Sequence, residues 1–200
     1  MNITCNSLRA NAEDEQLRAV AGMIYDTDPY IYPAMFASRE EAIDIIPLMI
    51  RSGDSMFCPE NLFVAEAEQH VVGIILWHKG PLIWETDVYH RCGGHSMFIE
   101  KVRDGYFSSY QNVPEDTVSL INICVRSDTR GQGIGGQMLD AFFRETPGSS
   151  ELYVLADNQR AIRLYQTKGF HITKQLEGFS LEVKKPLCYK MERDSWEERE

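Results

Sequence analysis

Between an apolar, strand-like run at Thr117 to Val125 and a helical run at Gly131 to Glu145, the chain carries Arg130-Gly131-Gln132-Gly133-Ile134-Gly135-Gly136. Glycine inside a helix costs about 1 kcal/mol relative to alanine. Four glycines crowded into the first helical turns therefore give up helix propensity for something that requires bare backbone. Such a turn presents consecutive N–H groups, unobstructed by side chains, at the positive end of a helix dipole. An anion belongs there, and a pyrophosphate fits best. Ile134, Met138, Leu139 and Phe142 give the helix one apolar face, and Pro147-Gly148 closes it.

Gly131, Gly133 and Gly136 also satisfy the dinucleotide pattern G-x-G-x-x-G, which alone is a weak signal. A Rossmann turn follows its strand directly and opens its domain, whereas here Arg126 to Arg130 intervene and the unit sits late in the chain. No acidic residue ends a second parallel strand in convincing register, so a nicotinamide-dependent oxidoreductase is the weakest reading. A Walker A loop is excluded because no Gly-Lys-Ser/Thr is present.

Around this unit the chain alternates strands and helices. Strands are expected at Ile3 to Ser7, Leu62 to Ala67, Val71 to Lys79, Glu151 to Ala156, Phe170 to Leu176 and Leu181 to Met191. Helices are expected at Glu13 to Tyr25, from an N-cap at Ser38 through about Arg51, and at Asn158 to Lys168. Asp26 to Ser38, with two prolines and three aromatics, reads as a loop. Glu68-Gln69-His70 has the spacing of a hairpin, and residues 80 to 115 read as an insertion with some helix near 95 to 105. Hairpins mixed with helical crossovers predict an α/β fold whose central sheet is mixed and mostly antiparallel, flanked by helices. Two hundred residues fit one domain, 1–192, followed by a charged tail, 193–200.

Charge and cysteine content narrow the partners. The net charge of −10 argues against nucleic acid, whose phosphates require a basic patch. No stretch is apolar for long enough to span a bilayer, and the N-terminus lacks the features of a secretory signal. The five cysteines (Cys5, Cys58, Cys92, Cys124, Cys188) are scattered and form no C-x-x-C, so a reducing, cytoplasmic setting is expected. Residues 1–120 hold eight Lys/Arg against eighteen Asp/Glu, while residues 121–200 hold twelve against twelve. The acidic first part would favour a cationic partner.

Ile121-Asn122-Ile123-Cys124-Val125, a polar five-residue bridge and then Arg130-x-x-Gly133-x-Gly135 together resemble the acyl-CoA-binding motif of the GNAT superfamily of N-acetyltransferases. Asn158 to Phe170 looks like that family's second motif at the expected distance. The order of elements agrees over nearly the whole chain, with Ser127 standing where the family often has proline. The resemblance implies a GNAT-like fold with splayed parallel strands at the acyl-CoA site. It implies that the backbone N–H groups of Gln132, Gly133, Ile134, Gly135 and Gly136 hold the CoA pyrophosphate beside Gly131, with charge from Arg130. Ile123, Cys124 and Val125 would pair with the pantetheine arm, and Asn158 would bond it from the other side. Tyr165 would be the general acid at the thioester sulfur, and the Val125 N–H would bond the oxyanion. Asn158 also suits a helix N-cap, and Tyr165 a core position.

The activity implied is acetyl transfer from acetyl-CoA, as co-substrate, to a primary amine by direct attack in a ternary complex. The acceptor would be a small-molecule amine or a protein amino group, and homodimerisation is common among such enzymes. The alternative is a non-catalytic acyl-CoA-binding or sensing module on the same fold. A free alkyl amine has a pKa of about 10, so something must remove its proton. Ser119, Asn122 and Cys124, the polar residues of the strand before the glycine turn, are poor bases; His78, Glu85, His90 and His95 are the other candidates. Cys124 as an acyl-carrying nucleophile is disfavoured because a lone cysteine in an apolar strand is usually core. His90-x-Cys92-x-x-His95 lacks a standard zinc pattern, so no metal is expected. The acceptor is expected between the first helices and the 80–115 insertion, with Tyr25, Tyr30, Tyr32, Phe36 and Trp84 as candidate walls.

Overall fold

The structure, a computed structural model, describes residues 2–84 and 86–195. Its elements run β1 (Ile3–Ser7), α1 (Asp14–Tyr25), α2 (Tyr32–Met35), α3 (Arg39–Ser52), β2 (Leu62–Ala67) and β3 (His70–Lys79). Then come α4 (Asp87–Arg91), α5 (Ile99–Gly105), β4 (Val118–Val125), α6 (Ile134–Glu145), β5 (Ser150–Leu155), α7 (Gln159–Thr167), β6 (His171–Glu177) and β7 (Leu187–Arg193). Ser38 Oγ accepts the Glu41 N–H at 3.2 Å, the cap its sequence predicts. A short helix, α2, appears where a loop was expected. In α2, Pro33 sits in the first turn, where its missing N–H costs nothing.

Seven strands form one sheet in the order β1-β2-β3-β4-β5-β7-β6, antiparallel except where β4 meets β5. One face packs against α1, α3 and the 80–115 segment, through residues such as Leu17, Ile24, Tyr32, Ile46 and Phe107. The other packs against α6 and α7, through Met138, Leu139, Phe142, Ile162 and Tyr165. β7 begins at Leu187, not Leu181. Leu181 and Val183 carry the apolar alternation that mimics a strand but are exposed, and they lie in bends that end at Pro186.

The β2–β3 hairpin turns through Glu68 (φ 51°) and Gln69 (φ 68°), both left-handed, a geometry that usually selects Asn-Gly. Gln69→Gly is expected to raise stability by up to about 1 kcal/mol, because the side chain there is held in a conformation that disfavours it. Urea denaturation of the two proteins checks this; a lower midpoint for the variant contradicts it.

β4 contains the feature that shapes the molecule. Asn122 stands opposite Leu76 and Leu120 opposite Trp77, so Ile121 is an extra residue on β4, a β-bulge. Below it, Val118 donates its N–H to Ser149 O of the β5 side at 3.0 Å, while Thr117 O accepts from Gly80 N at 2.9 Å on the β3 side. Above it the parity is reversed: Arg126 N–H goes to Val72 O at 2.9 Å, toward β3. Amides alternate along a strand, so Cys124 also faces β3, and Ile123 and Val125 face the β5 side. Yet β5 is no longer there. Pairing ends at Leu120 opposite Leu152, and the two parallel strands splay apart.

Candidate active site

The glycine turn sits at the open end of this splay. Gly131 (φ 87°) and Gly133 (φ 79°) adopt backbone conformations that side chains resist, and both are exposed. Gln137 N–H bonds the Gly133 carbonyl at 3.1 Å, the first bond of α6. The amides of Ile134, Gly135 and Gly136 precede that ladder, and no side chain caps them. Ile134 is buried on the α6 side and pins the start of the helix. At Gly135 a Cβ would stand 3.3 Å from Leu164 Cδ2, so the missing side chain lets α6 approach α7. Arg130 bonds the Val125 carbonyl through Nε at 2.9 Å, folding back along the end of β4. Uncapped amides, bare backbone and a guanidinium in one place suit the pyrophosphate of CoA.

Between the splayed strands lies a cavity of about 80 Å³, lined by Leu120 to Ile123 of β4, Leu152 to Leu155 of β5, and Thr27, Asp28, Tyr106, Asn158 and Tyr165. The structure thus brings together Ile123, Asn158 and Tyr165. Val125 and Cys124 instead line a wider cleft with Arg130, on the α1 side. Cys124, expected along the arm, turns its backbone to β3 because of the parity just described. Its buried thiol is pushed up in pKa by desolvation, with Arg130 opposing, so it is no activated nucleophile. Asn158 is the N-cap of α7, its Oδ1 accepting the Ala161 N–H at 3.2 Å, and the residue also lines the cavity. Burial, with a smaller contribution from Cys124, raises the Tyr165 phenol above its ordinary pKa, so it carries its proton at neutral pH.

Of the candidate bases His78, His90 and His95, none lines this cavity. His78 lies opposite Ser119, on the paired side of the bulge, with Nε2 3.1 Å from Pro81 O. His90 Nδ1 is 3.0 Å from Gly94 O. Glu85 lies outside the described residues. Among the described residues no group of three or more His, Cys, Asp or Glu could hold a metal ion. Asn122 is occupied: it accepts the Tyr32 hydroxyl and donates to Thr27 Oγ1 at 2.7 Å. The bulge puts it there, because Ile121 and Asn122 face the same side in succession.

The carboxylate that does reach the cavity is Asp28, which sequence reasoning missed. Its Oδ1 accepts the N–H of Tyr30 at 2.7 Å and of Ile31 at 2.9 Å, a turn formed across Pro29. Burial raises its pKa, against the pull of those two N–H bonds. Asp28 also lines a second cavity, of about 70 Å³, with Tyr30, Ile31, Gly105, Tyr106, Ser109, Tyr153 to Leu155, Leu176 to Phe179, Pro186 and Cys188. This lies between the first helices and the 80–115 segment, with the 178–188 segment as a further wall. Tyr30 is the one expected aromatic that lines it; Tyr32, Phe36 and Trp84 are core. The acidic excess is not gathered there, because much of it pairs on the surface with Arg18, Arg39, Arg51 and Arg91.

A family model described as an acetyltransferase (GNAT) domain matches residues 59–172, from β2 into β6. No curated protein is similar enough in sequence to count as a relative. Among solved structures, the chain is similar to an N-acetyltransferase from Staphylococcus aureus Mu50, with TM-score 0.67 and 16% identity over 94% of this chain and 99% of that one. It is similar to a chain of the NatC complex bound to Gag peptide and CoA, with TM-score 0.59 and 18% identity over 97% and 99% of the two chains. It is also similar to the ribosomal-protein-S18-alanine N-acetyltransferase from Escherichia coli, with TM-score 0.58 and 16% identity over 97% and 94%. At such identities the likeness is one of fold.

Proposed function

Because the chain belongs to the GNAT acetyltransferase family, we propose that it transfers an acetyl group from acetyl-CoA directly to the nitrogen of a primary amine. The observation that carries this reading is the open edge of β4, which offers the Ile123 backbone and the Val125 N–H to a ligand arm between uncapped α6 amides and Tyr165. Acetyl-CoA supplies an acyl group on a thioester, already activated toward amines.

In this reading the amides of Gln132 to Gly136 hold the pyrophosphate, and Arg130 adds positive charge at the same end. The Ile123 backbone and the Val125 N–H take the place of the missing strand pairing, and Asn158 bonds the arm from α7. Val125 lies toward the mouth, while Ile123 shares the cavity of Tyr165. The Ile123 N–H is therefore the better donor to the carbonyl oxygen as it gains charge, and Val125 serves the arm. Tyr165 donates its proton to the departing sulfur, whose thiol pKa is near 8.5.

The test is a thiol-release assay with acetyl-CoA and a panel of alkyl amines, aminoglycosides, amino acids and peptides, beside thermal-shift titration with CoA. A CoA-dependent rise in melting temperature with acceptor-dependent thiol release is the expected result. A rise without release by any acceptor would identify a binding module, and no rise would remove CoA from the account.

A further inference from the structure

We propose that Asp28 is the residue that receives the acceptor, meeting the ammonium of a slender alkyl amine where the two cavities adjoin and taking one proton from it, so that a neutral nitrogen goes on to the thioester beside Tyr165. This rests on the acetyl-transfer reading above and says which amine the site takes.

Two cavities meet at Asp28. Asp28, Tyr106, Tyr153, Val154 and Leu155 line both the one between the splayed strands and the one under the 178–188 segment. A molecule entering by the second reaches Tyr165 past this carboxylate. The second cavity has no Lys or Arg among the described residues that line it, and its other carboxylate, Glu177, is exposed at the rim. Its walls are aromatic. Tyr106 and Tyr153 stand on either side of buried Tyr110, with ring centroids 5.7 and 5.3 Å from it, and the Tyr106 and Tyr110 hydroxyls are 3.4 Å apart. A single carboxylate among tyrosine rings suits a cation, which gains from the charge and from the ring faces.

The carboxylate is free for this task. The two backbone bonds fall on Oδ1 and fix its place, and no Lys or Arg ion pair involves Asp28 among the described residues. Its charge is felt across the cavity: together with burial it pushes the Cys188 thiol up to about 11. A thiol held so firmly protonated does not compete with an amine as acceptor.

Size sets the rest. The cavity measures about 70 Å³, whereas one water occupies roughly 30 Å³ in the liquid. That is room for a chain of a few methylenes, and an aminoglycoside ring exceeds it. The enclosure is built in: at Gly105 a Cβ would come within 2.9 Å of Phe179 Cδ2, so this glycine lets the 178–188 segment close on α5. Gly178 N–H bonds Pro186 O at 2.7 Å and pinches the base of that segment. The family model ends at Phe170 plus two residues and begins at Pro59. Asp28 and the 178–188 segment thus lie outside the matched part.

The experiment compares the wild-type protein with Asp28→Asn, using n-butylamine and an aminoglycoside as probes in the thiol-release assay. Asparagine keeps an Oδ1 for the Tyr30 and Ile31 amides, and an unchanged CoA thermal shift verifies the fold. The expected result is that n-butylamine is acetylated in preference to the aminoglycoside, and that Asp28→Asn raises KM for n-butylamine at least tenfold. An unchanged KM would overturn the role of Asp28 while leaving acetyl transfer in place. So would turnover of peptide α-amines or aminoglycosides with none of n-butylamine. Failure of the parent reading looks different: no acceptor of any kind releases thiol from the wild-type protein.

Discussion

Gly133→Glu is expected to abolish CoA binding, with the thermal shift lost and affinity reduced at least a hundredfold, in a protein that still folds. Two effects act at this position. A carboxylate would stand among the uncapped amides of α6, repelling the phosphates they are arranged to receive. The backbone at φ 79° also resists a side chain, at about 1–2 kcal/mol. The second effect is separable. Gly133→Asn tolerates the left-handed conformation and adds no charge, so it should keep most of the affinity. The space is open, since a Cβ there would meet only Gln137 Nε2 at 3.8 Å. Calorimetry that returned the wild-type affinity for Gly133→Glu would remove the glycine turn from the CoA site.

Tyr165→Phe is expected to slow acetyl transfer by about a hundredfold or more, the lower range for loss of a positioned acid, with CoA affinity unchanged. The ring stays as packing. It lies 6.0 Å from the Phe170 ring, and phenylalanine retains that contact. Only the hydroxyl is removed, from a residue whose pKa is raised by burial. The effect should fall on kcat, because the proton is needed when the carbon–sulfur bond breaks. Equal rates for the two proteins would discard the acid and return Tyr165 to the core.

The turn and helices of the proposed donor side were legible in the sequence because local chemistry builds them. The glycine turn needs only its own backbone, the Asn158 cap is a short-range bond, and the periodicity of α6 and α7 fixes which faces are buried. The acceptor side was not. Asp28 acquires its place through a turn across Pro29 and through walls supplied by residues some 80 and 150 positions away, none of which leaves a local pattern. The same holds for α2, whose four residues are held by the burial of Tyr32, Ala34 and Met35 and not by helix propensity. At β7 the sequence misled in the opposite sense: Leu181 and Val183 alternate like strand residues but face solvent. Hydrophobic alternation reports a half-buried strand only when a second layer exists to cover it.

The bulge at Ile121 has a further consequence for how such a site is found and lost. It is a matter of counting, not of chemistry: one residue too many on β4 reverses the amide parity and parts the strand from β5. The count does not depend on which apolar side chain fills the buried position 121. Replacing side chains one at a time would therefore leave this determinant unseen, whereas deleting a single residue between Leu120 and Asn122 would let the parallel strands zip together past Leu152. The product would be a longer sheet with more backbone bonds and no place for a ligand. In a lineage of such proteins, the heritable unit of this half of the site is the length of a strand.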